Sequence, residues 1–245
     1  MNQFTRIVAI VLATASLQAY AQNYPVRPVR AIIAFPPGSS TDIIGRVITQ
    51  KVAEYWGQAI VADNRGGAGG SIGSATVARA APDGYTLLIN SNAHSVNPSF
   101  YAKLPYDTSR DFIDIGMLAI QPNVLMVNNN SSIKSTLDLI KQAKAKPNAI
   151  NIAHAGIGSG THLNSVKFKL VAGVEFTDVA YKGSGEVIID VMGGRVDGYF
   201  SPISAGMSFI QSGKVRAVAV STTKRSSQLP NVPTIAESGV PGFDY

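Results

Sequence analysis

Along the chain, short runs of consecutive apolar residues alternate with longer stretches in which apolar residues recur every three or four positions. Ala31-Ile32-Ile33-Ala34-Phe35 and Val124-Leu125-Met126-Val127 are apolar without interruption, as strands covered on both faces are. Runs of this kind predict strands over Val29–Phe35, Ala59–Asp63, Thr86–Asn90, Ile113–Ala119, Val124–Asn128, Ile150–Ala153, Thr177–Tyr181, Val196–Phe200 and Val215–Val220. Helical spacing predicts helices over Asp42–Trp56, Ser71–Ala80, Ser135–Lys146, Thr161–Val171, Gly185–Met192, Ala205–Gln211 and Thr234–Glu237. In the first of these, Ile43, Val47, Ile48, Val52 and Tyr55 share one face. Ser135-Thr136-Leu137-Asp138 reads as a capping box with Asp in place of Glu, and Pro147 stops the helix it opens. Strand–helix alternation of this kind predicts α/β layers and mostly parallel sheets. The loops around Asn92–Pro105 and Thr222–Pro233 carry the least pattern.

The first residues need a separate reading. Met1–Arg6 is a polar segment with one positive charge, and Ile7–Leu17 is apolar but too short to span a bilayer as a helix. Ala19-Tyr20-Ala21 fits a small-x-small cleavage pattern. An export signal is expected, with a mature chain beginning at Gln22 outside the cytoplasm. The chain has 245 residues and no cysteine. Its stability must therefore come from a buried core, which a chain of this size can form. With only His94, His154 and His162 beside the missing thiols, zinc, iron–sulfur and thiol chemistry are not expected. The net charge of +6 comes from 21 basic and 15 acidic residues. They are scattered, so no nucleic-acid partner is expected, and a mild attraction for anionic solutes is.

Three loops share one design: each follows an apolar strand, contains Gly and Ser, and opens a helix. They are Pro37-Gly38-Ser39-Ser40-Thr41-Asp42, Gly156-Ile157-Gly158-Ser159-Gly160-Thr161-His162 and Lys182-Gly183-Ser184-Gly185-Glu186. A helix N-terminus presents unpaired N–H groups and a partial positive charge, where a carboxylate or phosphate can sit. Such turns also occur as caps without a ligand. Asp42 fits either role, as a cap or as acceptor for a ligand amine or hydroxyl. The cluster Asn64-Arg65-Gly66-Gly67-Ala68-Gly69-Gly70-Ser71-Ile72-Gly73 has no dinucleotide-loop spacing, and a tight turn with close helix–sheet packing is expected there. No Gly-x-Ser-x-Gly elbow, Walker loop or His-Glu-x-x-His occurs. Ser159 and His162 leave an exported serine hydrolase as the alternative, although a His inside the first turn of a helix that the Ser precedes is poor nucleophile–base geometry.

Taken in order, eight segments resemble the Bug family, the solute-binding receptors of tripartite tricarboxylate transporters. They are Phe35-Pro36-Pro37-Gly38 with Asp42, the glycine cluster at 64–73, Pro82-Asp83-Gly84-Tyr85-Thr86-Leu87-Leu88, Gly156–Leu163, Tyr181-Lys182-Gly183, Gly193-Gly194-Arg195-Val196-Asp197, Gly213–Val220 and Pro230–Gly242. The resemblance implies a type II periplasmic-binding-protein-like α/β fold of two domains with a cleft between them. Domain 1 would comprise 22–118 with 222–245, and domain 2 would comprise 119–221, the chain crossing near Ala119 and Ser221. It implies capture of a small carboxylate (a di- or tricarboxylate, an amino acid or an aromatic acid) by loop amides, hydroxyls and waters, without catalysis, metal or cofactor. The implied partners are the membrane permease subunits of a transporter, or a sensor kinase, with the receptor itself a monomer. Carried over by position, Gly38, Ser39, Ser40, Thr41 and Asp42 form one jaw, with Asn92 and Ala93 at its side. Ala155, Gly156, Gly158, Ser159, Thr161 and His162 form the other. Lys182, Gly183, Asp197 and Ser201 lie near the cleft. Three departures stand out. The family has a second Gly where this chain has Ser39, and often Ser where it has Ala155. It also continues beyond Pro241-Gly242-Phe243, so the sequence is either a fragment or a truncated protein, and a truncated protein would expose apolar surface and an unpaired strand edge in its first domain.

Overall fold

The computed structural model describes residues 24–245; the export-signal reading falls on earlier residues and lies outside the described ones. Strands β1 (Val29–Ile33), β2 (Ile60–Asn64) and β3 (Thr86–Ile89) form a parallel sheet in the order β2-β1-β3. The uninterrupted apolar run of β1 places it at the centre, where Ala31, Ile32 and Ile33 are fully buried. Helix α1 (Ser40–Trp56) follows β1, α2 (Ser71–Ala78) follows β2 and α3 (Ala93–Phe100) follows β3.

The buried face of α1 is not the expected one. Asp42, Gly45 and Thr49 are buried, whereas Ile43, Val47 and Tyr55 are exposed. Small residues win this face because the sheet comes close: a Cβ on Gly45 would stand 3.2 Å from Ile89. Gly73 makes the same allowance in α2, its Cα backing onto Ala34, which agrees with the packing role expected of the glycine cluster.

The second lobe is a five-stranded sheet, in the order β6-β5-β7-β4-β8, of β4 (Asn123–Asn128), β5 (Asn151–His154), β6 (Thr177–Ala180), β7 (Gly198–Pro202) and β8 (Val215–Val220). Strand β4 runs antiparallel to both β7 and β8, so this sheet is mixed rather than parallel throughout. Alternate residues of β4 feed two cores, as the period of two requires. Leu125 and Val127 join Leu139 and Phe168, from α4 (Thr136–Ala145) and α5 (Gly160–Ala172). Val124 and Met126 join Val187, Ile188 and Ala205, from α6 (Ser184–Met192) and α7 (Ile203–Gln211).

Three expectations are corrected. Ile113–Ala119 forms no strand. Ile113, Ile115 and Met117 are exposed, and the segment pairs with none of the outer strands of either sheet. Thr234–Glu237 is a turn rather than a helix, although Thr234 and Glu237 do exchange capping-box hydrogen bonds. Residues expected to return to the first domain pack instead on the second lobe: Ile235, Val240 and Phe243 are buried against Leu125 and Phe168. Helix α3, conversely, lies in a stretch expected to be loop. Its Pro98 and polar residues hid it, and burial of Ala93 and Asn97 holds it.

Candidate functional site

The loops after β1 and β5 share the same backbone hydrogen bonds. In the first, Ser39 N–H donates to Pro36 O (3.2 Å) and Ile43 N–H to Ser39 O (2.9 Å). In the second, Ser159 N–H donates to Gly156 O (3.1 Å) and Leu163 N–H to Ser159 O (2.9 Å). Gly38 and Gly158 both sit at φ +77°, a left-handed conformation that favours glycine. Ser39 and Ser159 are the N-caps of α1 and α5, accepting from Asp42 N–H and His162 N–H respectively, each at 3.3 Å. Each turn is then closed by the residue three beyond its cap. Gly38 N–H donates to Asp42 Oδ2 (2.9 Å), and Gly158 N–H donates to His162 Nδ1 (3.2 Å).

This geometry divides the expected site residues by what they have left to offer. The side chains of Ser39, Asp42, Ser159 and His162 are used in capping. Asp42 is buried and also accepts from Arg46 and Asn64, each at 2.8 Å. Burial alone would push its carboxyl up, but the hydrogen bonds from Asn64, Gly38 and Arg46 outweigh it and hold the group below the usual carboxylate range. Thr161 Oγ1 accepts from Ala155 N–H (2.9 Å) and bonds Ser159 Oγ. Among the described residues, what remains free at the two helix starts is the pair of amides on each, Ser40 and Thr41 in one, Gly160 and Thr161 in the other. The third loop differs: Gly183 provides no side-chain cap, and Ser184 Oγ turns inward to Tyr199 OH at 2.7 Å.

The lobes touch along a row of glycines. A Cβ on Gly183 would stand 2.9 Å from Pro36, one on Gly158 3.2 Å from Asn97 Oδ1, and one on Gly160 3.0 Å from Asn92 Oδ1. A Cβ on Gly69 would collide with the Ile157 carbonyl. The Phe100 ring of α3 meets the His162 ring at 5.6 Å. Between the lobes lies a cavity of about 180 Å³, lined by Ala68, Gly69 and Tyr101 on one side and by Gly156, Ile157, Ala180, Tyr181 and Lys182 on the other. Of these, Ala68, Gly69, Tyr101, Ile157, Ala180 and Tyr181 are not among the sequence-derived candidates. The spacing of the glycine cluster points to packing, and Tyr101 stands in a stretch without periodicity.

Three expected residues fall elsewhere. Asp197 accepts from Asn151 N–H (2.7 Å) at the starts of β7 and β5, the opposite end of those strands from the Gly156 turn. The Ala93 side chain is fully buried with Ala34 and Phe35. Ser201 is fully buried in β7, its hydroxyl donating to Pro202 O. Asn92 does lie between the lobes, its Nδ2 donating to Tyr245 OH (3.2 Å).

Behind the second turn, the His154 and His162 rings lie 4.4 Å apart. Burial lowers the His154 pKa to about 4, and the neighbouring His162 adds to the effect. Burial also lowers that of His162. Nδ1 of His162 accepts a backbone N–H and Ser159 Oγ is held by its own cap, so no Ser–His nucleophile pair exists. The hydrolase alternative fails on that geometry.

Two α/β lobes meeting along the carboxyl ends of their strands, with helix N-termini at the seam, define the class of two-lobed solute-binding proteins. The chain belongs to the tripartite tricarboxylate transporter family of receptors, whose family model matches residues 44–245. It is therefore a solute-binding protein and not an enzyme. It is 38% identical to protein BugT of Bordetella pertussis over 247 residues, covering 99% of this chain and 76% of that one. R. palustris Rpa4515, solved with adipate, is 36% identical with a TM-score of 0.87, covering 91% of this chain and 75% of that one. MatC (Rpa3494) from Rhodopseudomonas palustris, with bound malate, is 31% identical with a TM-score of 0.82, covering 91% and 76%.

Proposed function

We propose that the protein captures a small carboxylate between its lobes in the periplasm and presents it to the membrane permease of a tripartite transporter. The observation that carries this reading is the matched pair of cap turns. Each leaves two helix N-terminal amides free, Ser40 and Thr41 on one lobe and Gly160 and Thr161 on the other. Amides at helix starts suit an anion, and Ser40 and Thr41 add hydroxyls. The site residues are Ser40, Thr41, Asn92, Gly156, Gly160 and Thr161, with Gly38, Ser39, Asp42, Gly158, Ser159 and His162 shaping the turns that present them. Adipate and malate in two related structures support a carboxylate as the ligand class. Micromolar capture corresponds to about −8 kcal/mol, within reach of a few amide and hydroxyl hydrogen bonds in a closed cleft.

Thermal-shift titration with di- and tricarboxylates, acidic amino acids and aromatic acids tests the reading. At least one carboxylate should raise the unfolding midpoint in proportion to the logarithm of its concentration, whereas uncharged amides of the same acids should not. If no carboxylate shifts the midpoint, the reading is wrong.

A further inference from the structure

The second jaw is anchored by a chain of buried hydroxyls that reaches beyond its own turn. Thr161 Oγ1, which accepts from Ala155 N–H, stands 3.0 Å from Ser159 Oγ. The chain continues to the hydroxyl of Tyr199 in β7, the strand beside β5. That hydroxyl has two side-chain hydrogen-bond partners, Ser184 Oγ at 2.7 Å and the Thr161 hydroxyl. Ser159, Thr161 and Ser184 are buried, and Tyr199 is fully so. The Tyr199 ring packs among Val124, Met126, Val187 and Ile188, a setting that a phenylalanine ring would suit equally. Its oxygen is the demanding part, because a hydroxyl in an apolar core is costly unless it is hydrogen-bonded. Here the partners stand at two helix starts: Thr161 lies in the first turn of α5, and Ser184 is the first residue of α6.

Both helix starts meet the other lobe. The α5 start presents the free amides of Gly160 and Thr161, and a Cβ on Gly160 would stand 3.0 Å from Asn92 Oδ1. The α6 start follows Gly183, where a Cβ would stand 2.9 Å from Pro36. Gly183 gives that helix no side-chain cap, and the Ser184–Tyr199 hydrogen bond ties its start to the sheet. In the first jaw the anchor is ionic instead, with Asp42 held by Arg46 and Asn64. We propose that Tyr199 is the positioning residue of the second jaw. Its hydroxyl fixes the α5 start relative to the α6 start, so that the Gly160 and Thr161 amides are in place for a carboxylate when Gly183 meets Pro36. A fully bonded buried network holds one geometry, and preformed donors bind more tightly than donors that must be ordered on binding. The proposal rests on the carboxylate-receptor reading and adds to it a residue that touches no ligand atom.

Isothermal titration with succinate, malate, citrate, glutamate and benzoate, run beside urea unfolding, tests it on the wild type, Tyr199→Phe and the double variant Tyr199→Phe/Ser184→Ala. Tyr199→Phe leaves the Ser184 hydroxyl buried without that partner and should lower stability, whereas the double substitution removes both ends of the hydrogen bond and should recover most of the loss. Affinity should not follow. Both variants should bind each acid that the wild type binds about fivefold or more weakly, and by a similar factor for every acid, since the oxygen acts on the jaw and not on the ligand. If the double variant regains wild-type affinity together with stability, the hydroxyl is structural only, and the proposal is overturned while the receptor reading stands. A loss seen with one bound acid and not with another would put the oxygen on the ligand and overturn it as well. If the wild type binds none of these acids, the receptor reading falls and takes the proposal with it.

Discussion

Asp42 and His162 hold equivalent positions in the two cap turns, yet one is an anion and the other a neutral ring. Each accepts a glycine N–H that has no other acceptor. Replacing Asp42 with Ala removes that acceptor and the partner of Arg46 and Asn64, and should cost about 2 kcal/mol in urea unfolding. Because its folded-state pKa is depressed, its contribution is complete above the unfolded carboxylate range, near pH 4, and is lost as pH falls further. The equivalent role of His162 depends on an unprotonated Nδ1. His162→Asn, whose Oδ1 can take the place of that nitrogen, should stay close to wild type, whereas His162→Ala should lose about 1 kcal/mol. His154 adds a second acid sensitivity. It is neutral in the fold, with its pKa lowered to about 4, and binds a proton near pH 6.5 when unfolded. The unfolded chain therefore holds more protons between those values, and stability falls on acidification from about pH 6.5 to about pH 4. A His154→Gln variant should show a visibly flatter pH dependence of stability across that window. An unchanged slope would place the effect in other groups.

At the scale of elements, the two jaw helices start from the same turn but bear different loads. Gly38 has open space where a Cβ would project, whereas a Cβ on Gly158 would press on Asn97 and Phe100 of the other lobe. Gly38→Ala should therefore cost only the left-handed backbone strain, about 1 kcal/mol. Gly158→Ala should add a steric term and also weaken carboxylate binding, measurable by titration calorimetry, because it obstructs lobe contact. Equal effects of the two substitutions on affinity would contradict this difference. Most elements were legible in the pattern of apolar residues: β8 coincides with its expected span, and α1, α4, α5 and α6 differ from theirs by one or two residues at an end. The failures share a cause. Helix α3 contains Pro98 and few apolar residues, so its stability comes from contacts distant in sequence, and local pattern does not register it. Ile113–Ala119 has a strand's composition, but a strand forms only where it pairs with a neighbour, and composition does not say whether it will.

Across the whole molecule, apolar surface is distributed unevenly. The second lobe covers both faces of its sheet, while the segment from Ile113 to Ile120 leaves Ile113, Ile115, Met117 and Ile120 exposed, and α1 exposes Val47 and Tyr55. Contiguous apolar exposure of this kind promotes association. Substituting Ile113, Ile115 and Met117 with Ser should reduce binding of a hydrophobic dye and light scattering on concentration, with the unfolding midpoint changed by no more than a degree or two, since these side chains contact little. A large fall in the midpoint would mean that they are buried in solution.

The chain by itself determined the α/β layering, the three glycine–serine turns at strand ends and the family to which they belong. Those depend on local periodicity, capping chemistry and motif order, all written within a few residues of one another. Tertiary structure alone decided which of the turn residues remain free to bind. The hydroxyl of Ser159, the carboxylate of Asp42 and the imidazole of His162 look equally available in a sequence, and only the folded turn shows them bonded to its own backbone. Tertiary structure also placed Asp197 at the ends of the strands away from the seam and brought Tyr101 and Gly69 to line one cavity with Lys182. Residues that far apart in the chain meet through the packing of two lobes, and no local pattern encodes that meeting.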